Sequence, residues 1–416
     1  MSMRITEICR SADHEQFEVY DRVLREIADQ GIRVNKDLVA AIVQNSRRLM
    51  RNLALGANAI APVFNGGELS IPLLQMHCEA SGIRLPISYD EMGRIWIQSA
   101  QPAFARRVAE NAGLWSILQT TRALDAIENL SRMRFDQSSG RHLYEIEPFH
   151  GCKSGKPVYR GFLLSQHRFL RQLVVPESTD HVLLTVDGRA IDMVMAAVQS
   201  GDEKMLAICA AADPHEAFET VMLDLVGDPK LEWLRHKRSA FKRLNLAILN
   251  GAGEVGVAEI LGVSLRVARR ILFRHRGYFV RYWMWVEETL KRATPSRFMR
   301  SPMGFTCFVD GASSPHTWQS WPIQAASADV CRMGLLYLAA IHIPVVAAHF
   351  DAFIFSVPRS SVGDLVPRIL NALGEAERKV LSTQILRWTV RTDEDRLSDG
   401  AEDPAWQLIL KHVGAV

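Results

Sequence analysis

The stretch Arg238-Ser-Ala-Phe-Lys242-Arg-Leu-Asn-Leu246-Ala-Ile-Leu-Asn250-Gly251 decides how this chain is read. Arg238, Lys242, Leu246 and Asn250 recur every fourth residue, so on a helix they form one slowly drifting stripe. Gly251-Ala-Gly-Glu-Val-Gly256 then interrupts the pattern and separates this helix from a second one. The two cations at the head of the stripe can hold phosphate oxygens. The residues lower down can lie against a sugar and a base. A solvated basic face is the plainer alternative, and composition does not separate the two.

Two carboxylates flank this helix in sequence. Asp187 ends the apolar run Val182-Leu-Leu-Thr-Val186, and Asp351 sits between Ala347-Ala-His-Phe350 and Ala352-Phe-Ile-Phe355. A carboxylate at the end of a core strand is costly unless a cation, a metal or hydrogen-bond donors meet it. Two of them brought together repel unless a divalent cation neutralises both. Mg²⁺ suits that role, because it takes one or two carboxylates together with phosphate oxygens. Two such ions would activate an attacking hydroxyl and stabilise the leaving oxygen. For one isolated Asp, a capped turn or a nearby Arg is the better reading; for the pair with the cationic helix between them, the metal site is. Asp213-Pro-His215 offers a further phosphate donor, although a lone His is more often structural.

The bulk numbers bound the answer more loosely. A chain of 416 residues buries a large core and suggests roughly two to four subdomains. With 48% hydrophobic and 23% charged residues it reads as globular, and a net charge of +3 does not by itself require a polyanionic partner. Its basic residues are clustered, at Arg47, Arg48 and Arg51, from Arg235 to Arg243, and at Arg266, Arg269, Arg270, Arg274 and Arg276. The six cysteines show no CxxC pair, which argues against structural zinc and for a reducing compartment. No signal peptide or membrane-spanning run is evident, so a cytoplasmic protein without membrane attachment is expected.

Along the chain, residues 14–55 read as helical with a break at Gly31, and further helices are expected near 68–82 and 102–133. His181–Asp187 reads as a buried strand and 190–212 as helical. A long helical block fills 231–293, followed by a hairpin at 297–312, a helix at 322–341 and two strands around a tight turn at 343–357. The acidic stretch 392–404 is expected to be a surface loop.

In order, these segments resemble the polymerase domain of family A DNA polymerases. Asp187-Gly-Arg-Ala-Ile-Asp192 is similar to the family's first motif, with Asp192 in place of Glu. Ser200-Gly-Asp-Glu203 and Asp213-Pro-His215 follow it. The Arg-x3-Lys-x7-Tyr-Gly pattern survives as Arg238, Lys242 and Gly251, with Leu246 and Asn250 where aromatics are usual. Trp321-Pro-Ile-Gln324 resembles the segment that contacts the primer-template minor groove. His349-Phe-Asp351-Ala352 resembles the last motif, with Ala352 replacing Glu. Arg168, Arg171 and Arg122 match positions in the approach to the first motif and in the thumb.

The resemblance implies an α+β right-hand fold, with an antiparallel palm sheet and helical fingers and thumb. It places the thumb and N-terminal helices at 1–135, the palm at 136–212 and 297–416, and the fingers at 213–296. It implies two Mg²⁺ ions (Mn²⁺ being an alternative) on Asp187 and Asp351, with Lys242 also catalytic. Arg238, Lys242, His215, Asp192, Leu246 and Asn250 would bind the dNTP. Gln324, Arg168, Arg171 and Arg122 would bind primer-template DNA. A monomer lacking nuclease domains is expected. Because Asn250 and Asp192 shrink together, the pair is expected to be re-made, at the cost of fidelity and ribose discrimination. A primase or RNA-polymerase-like enzyme, or a catalytically weak DNA-binding accessory protein, are the alternatives.

Overall fold

His181–Gly188 forms the strand its apolar run demands, designated β1. In a computed structural model of the chain, which describes residues 14–89, 95–97, 102–149, 153–294 and 297–414, it lies inside a four-stranded sheet. The other strands are β2 (Ala347–His349), β3 (Ala352–Pro358) and β4 (Trp388–Asp393), in the order β2-β3-β1-β4. Both inner strands carry near-continuous buried runs, Val182–Leu184 and Phe353–Val357, as strands covered on both faces must. β2 and β3 form an antiparallel hairpin with Ala347 opposite Ile354 and His349 opposite Ala352. Phe350 and Asp351 make its two-residue turn.

The helices that matter for the site are α1 (Ile191–Ser200), α2 (Pro214–Val226), α3 (Arg238–Leu249), α4 (Leu265–Tyr278), α5 (Pro315–Ala340) and α6 (Val362–Leu381). One continuous apolar core joins α1, α2, α3, α4, α5 and α6 through residues such as Met195, Phe218, Leu244, Ile271, Val330 and Ala376. The fold is α+β. Two compact units divide the chain. The first comprises residues up to 29, 146–158 and 184–392, and the second residues 30–145, 159–183 and from 393 onward. The second unit is built around a 21-residue helix, Ala112–Arg132, whose buried face runs through Leu114, Ile117, Leu124, Ile127 and Leu130.

Several sequence expectations are met. Gly31 takes φ +68° between the helix His14–Gln30 and the strand Ile32–Arg33, where a Cβ would lie 2.6 Å from the His142 carbonyl. The hairpin expected at 297–312 pairs Phe298–Arg300 with Thr306–Phe308. Two expectations are corrected. The helix expected at 322–341 starts at Pro315, so Pro322 lies inside it rather than at its start. The local sequence shows a proline as a stop signal, but burial of Trp318 and Trp321 carries the helix through. The acidic stretch 392–404 is not simply a surface loop: Asp393 and Asp399 are buried and Leu397 is 1% exposed. Cys9, Cys152 and the N-terminal residues read for a targeting signal lie outside the described residues. No described helix is long and apolar enough to cross a membrane.

Candidate active site

The sheet brings the two aspartates together. The Gly188 amide, one residue after Asp187, donates to the Asp351 carbonyl at 3.0 Å. Thr389 Oγ1 of β4 donates to the Asp187 carbonyl at 3.2 Å. Asp351 follows Phe350, which adopts φ +56° although it is bulky and 53% exposed. That conformation is unfavourable for such a side chain and is held only where the surroundings over-determine it. Burial pushes the Asp351 carboxyl above its ordinary range; nearby Asp192 pushes the same way, while Lys156 and Lys242 pull it down. Asp187, Asp192, Asp351 and Lys156 all act on the half-buried Cys331, whose thiol is raised to about 12 chiefly by desolvation. The three carboxylates and Lys156 thus share one electrostatic neighbourhood, although among the described residues no three metal-ligating side chains stand close enough together to hold an ion.

Asp192 lies in the first turn of α1, where a carboxylate is favoured by the helix dipole. Its Oδ2 accepts from Gln324 Nε2 at 2.8 Å, and its Oδ1 lies 3.9 Å from Lys156 Nζ. Lys156 also donates to Gln324 Oε1. The three side chains close a triangle that links α1, α5 and the segment before residue 158. Asp192 Oδ1 is buried and makes no hydrogen bond. Asn250 is not Asp192's partner: its Nδ2 donates to Leu246 O, one turn back on its own helix, at 2.8 Å. The expected re-made pair is therefore replaced by Asp192 with Gln324 and Lys156.

A second cluster lies at the start of α2. Asp213 caps it, accepting from the His215 and Glu216 amides at 2.9 and 3.3 Å. The same carboxylate pairs with Arg238 Nε at 2.6 Å and Arg189 Nη2 at 3.1 Å. Burial opposes its ionisation, but the Arg238 bond and the two amides overcome this and hold it at about 2. His215 is buried, and its pKa falls to about 4, first through burial and then through Lys242 and Arg238. It is therefore neutral near pH 7, and its Nδ1 is buried without a partner. Lys242 is exposed and forms no ion pair among the described residues. Leu246 is half-buried on the same helix face.

A family model described as DNA polymerase family A matches residues 162–384, more than half of the chain. The chain belongs to DNA polymerase family A. Among its relatives, DNA polymerase I of Bacillus subtilis is 21% identical over 225 residues, covering 50% of this chain and 25% of the relative. DNA polymerase I of Streptococcus pneumoniae is 21% identical over 229 residues, covering 51% and 26%. The chain thus spans about a quarter of the length of these relatives. A solved structure, the polymerase domain of Pol1 from M. smegmatis in complex with DNA primer-template and dNTP, matches with a TM-score of 0.71 at 16% identity. The match covers 90% of this chain and 69% of that one. Its fold is shared.

Within this family A chain, sequence reading missed Lys156, Arg189 and the device that holds Lys156 in place. Arg332 is 2% exposed and pairs with the fully buried Asp329 at 2.6 Å. Its guanidinium sits 4.8–5.8 Å from the ring centroids of Phe17, Tyr20, Phe149 and Phe305. Its Nη2 donates to the Gly155 carbonyl at 3.4 Å, one residue before Lys156. Gly155 takes φ +76°, and a Cβ there would lie 3.0 Å from the Phe305 ring. Trp321 Nε1 donates to the Lys153 carbonyl at 2.7 Å and fixes the other end of the turn. The only sequence signal was a lysine set between Gly155 and Pro157.

The three arginines read as DNA contacts lie in the second unit and are engaged internally. Arg122 pairs with Asp403 at 2.7 Å, and Arg168 and Arg171 pair with Asp399 at 2.6 and 3.3 Å. The acidic stretch 392–404 supplies both carboxylates. Arg168 keeps 71% of its side chain exposed.

Proposed function

We propose that this chain is a template-directed DNA polymerase domain that extends a primer 3′ end with dNTPs. The observation that carries the proposal is the backbone bond from Gly188, next to Asp187, to Asp351 across adjacent strands, with Asp192, Lys156 and Lys242 acting on the same carboxylate. The donor set suits Mg²⁺ (or Mn²⁺). It is all oxygen, two carboxylates lie at neighbouring strand ends, and Asp192 Oδ1 is buried without a hydrogen-bond partner. Asp187 and Asp351 would hold the ions, which when bound lower the pKa of an attacking hydroxyl and neutralise charge on the phosphates.

The protein's own groups account for the remainder. Arg238, Lys242 and His215 bind the triphosphate. Arg238 exchanges Asp213 for a phosphate, and His215, kept neutral by burial, serves as an N–H donor. Lys242 carries an uncommitted charge to the leaving pyrophosphate and can pass it a proton from Nζ. Gln324 and Lys156 hold Asp192 beside the sugar. Leu246 and Asn250 line the base side, and Arg168, Arg171 and Arg122 steady the DNA backbone, Arg168 with the most surface to give. In the family that this chain resembles, a Tyr at the position of Asn250 bonds a Glu at the position of Asp192 and the pair gates against a ribose 2′-hydroxyl; here the Asn250 amide is turned onto its own helix and does not meet Asp192, so that gate stands open. Loose ribose discrimination and low fidelity follow.

The test is single-nucleotide extension of a primed template with each dNTP and rNTP. Incorporation directed by the template base, with ribonucleotides admitted readily, is expected. Extension that ignores the template base rejects the polymerase reading, and strict exclusion of rNTPs rejects the open gate.

A further inference from the structure

The arginine cluster from Arg266 to Arg276 has no part in the site above, yet it forms an organised face. α4 carries five arginines and no carboxylate. Ala268, Ile271 and His275 are buried and anchor one side of the helix in the core. On the other side Arg266, Arg270, Phe273, Arg274 and Gly277 fall at i, i+4, i+7, i+8 and i+11 and share one exposed stripe. Two of the arginines are neutralised, Arg269 by Glu254 and Arg270 by Asp228. Arg266 and Arg274 form no ion pair among the described residues. Arg276 lies over the Trp283 ring at 4.5 Å, and Lys204 lies over Tyr278 at 4.2 Å near the end of the helix. In the middle of these cations stands Phe273, 72% exposed.

We propose that this face of α4 binds single-stranded DNA. The argument rests on complementary charge and on the exposed ring. Uncommitted arginines on both sides of a bare aromatic match a strand that offers phosphates along its edge and open bases to stack. Duplex DNA would satisfy the arginines but offers no free base face to Phe273. An acidic protein segment would likewise leave the ring unused. The inference rests on the polymerase reading for its choice of DNA, since uncopied template is the single strand such an enzyme meets.

The test is fluorescence anisotropy with labelled oligo-dT and with a blunt DNA hairpin, across a salt series. It compares wild type, Phe273→Ala and the double variant Arg266→Gln/Arg274→Gln. Phe273→Ala is expected to weaken oligo-dT binding by about 5- to 100-fold. The double variant is expected to lower the salt slope by about 1.4, two single-strand phosphate contacts. Phe273→Ala should change binding of the blunt hairpin by less than about twofold, since paired bases offer the ring no free face. Variants that bind oligo-dT as wild type does overturn the inference. So does displacement of oligo-dT by poly-glutamate as readily as by unlabelled oligo-dT, which would make the face a generic acidic-partner site. A wild type that extends no primer but loses oligo-dT binding on Phe273→Ala overturns the polymerase reading and supports the face by itself.

Discussion

Replacing Arg332 with methionine tests the packing behind the site. The methionine keeps part of the apolar stem but strands Asp329, which is 0% exposed. Removing one partner of a buried ion pair costs about 3–5 kcal/mol, and loss of the surrounding ring contacts adds about 1 kcal/mol. Protonation of the stranded carboxyl limits the total. Burial already pushes Asp329 upward, while Arg332, Ser301 and the Met303 amide pull it back. Without Arg332 its folded pKa rises further above the unfolded value, so the folded variant binds more protons than the unfolded one. The variant's stability deficit is therefore largest at high pH and shrinks on acidification. A loss of about 4 kcal/mol is expected at pH 8, and less at pH 6. Urea unfolding, followed by the fluorescence of Trp318 and Trp321 in the adjoining aromatic cluster, measures it. The double variant Arg332→Met/Asp329→Asn, which keeps an acceptor for the Met303 amide, should recover most of the loss. A deficit under about 1 kcal/mol at pH 8, or a double variant no better than the single one, would falsify this reasoning.

Other expected outcomes follow from the same geometry. His142 is fully buried, with Nδ1 on the Arg134 carbonyl at 3.1 Å and Nε2 accepting from the Leu163 amide at 3.1 Å, and burial lowers its pKa to about 4. A depressed histidine stabilises the fold above its unfolded pKa, and that stability is lost as pH falls from about 6.5 toward 4. The amount is about 3 kcal/mol, and thermal unfolding of wild type against His142→Gln across this window should show a flatter profile for the variant. Gly155→Ala should lower stability by about 1–3 kcal/mol through its positive φ, read by thermal melts, and should reduce primer extension by loosening Lys156. Asn250→Tyr combined with Asp192→Glu should raise dNTP-over-rNTP selectivity at least about tenfold, about 1.4 kcal/mol, in steady-state incorporation kinetics; an unchanged ratio would count against the open gate.

Much of the site was legible because its residues sit on strongly patterned elements. Val182–Val186 and Ala352–Phe355 are apolar runs that read as core strands, and the aspartates at their ends come together because these two strands are neighbours in the sheet. The four-residue spacing from Arg238 to Asn250 gave the helix face directly. What was hidden depends on contacts distant in sequence. Lys156 reaches Asp192 and Gln324 only because a turn is pinned by Arg332 and Trp321, more than 160 residues later. The roles of Arg122, Arg168 and Arg171 looked purely external, because nothing local shows that Asp399 and Asp403 fold back to pair with them. Pro322 misled for the reverse reason: a strong local stop signal yields to tertiary burial.

If Asp187 and Asp351 form one catalytic centre, primer extension in Mg²⁺ depends on both carboxylates, and the Asp351→Ala variant measures that dependence. With folding verified by circular dichroism, template-directed extension is expected to fall at least about a thousandfold, about 4 kcal/mol of transition-state stabilisation, and Asp187→Ala is expected to fall comparably. Extension within about tenfold of wild type by Asp351→Ala would contradict it.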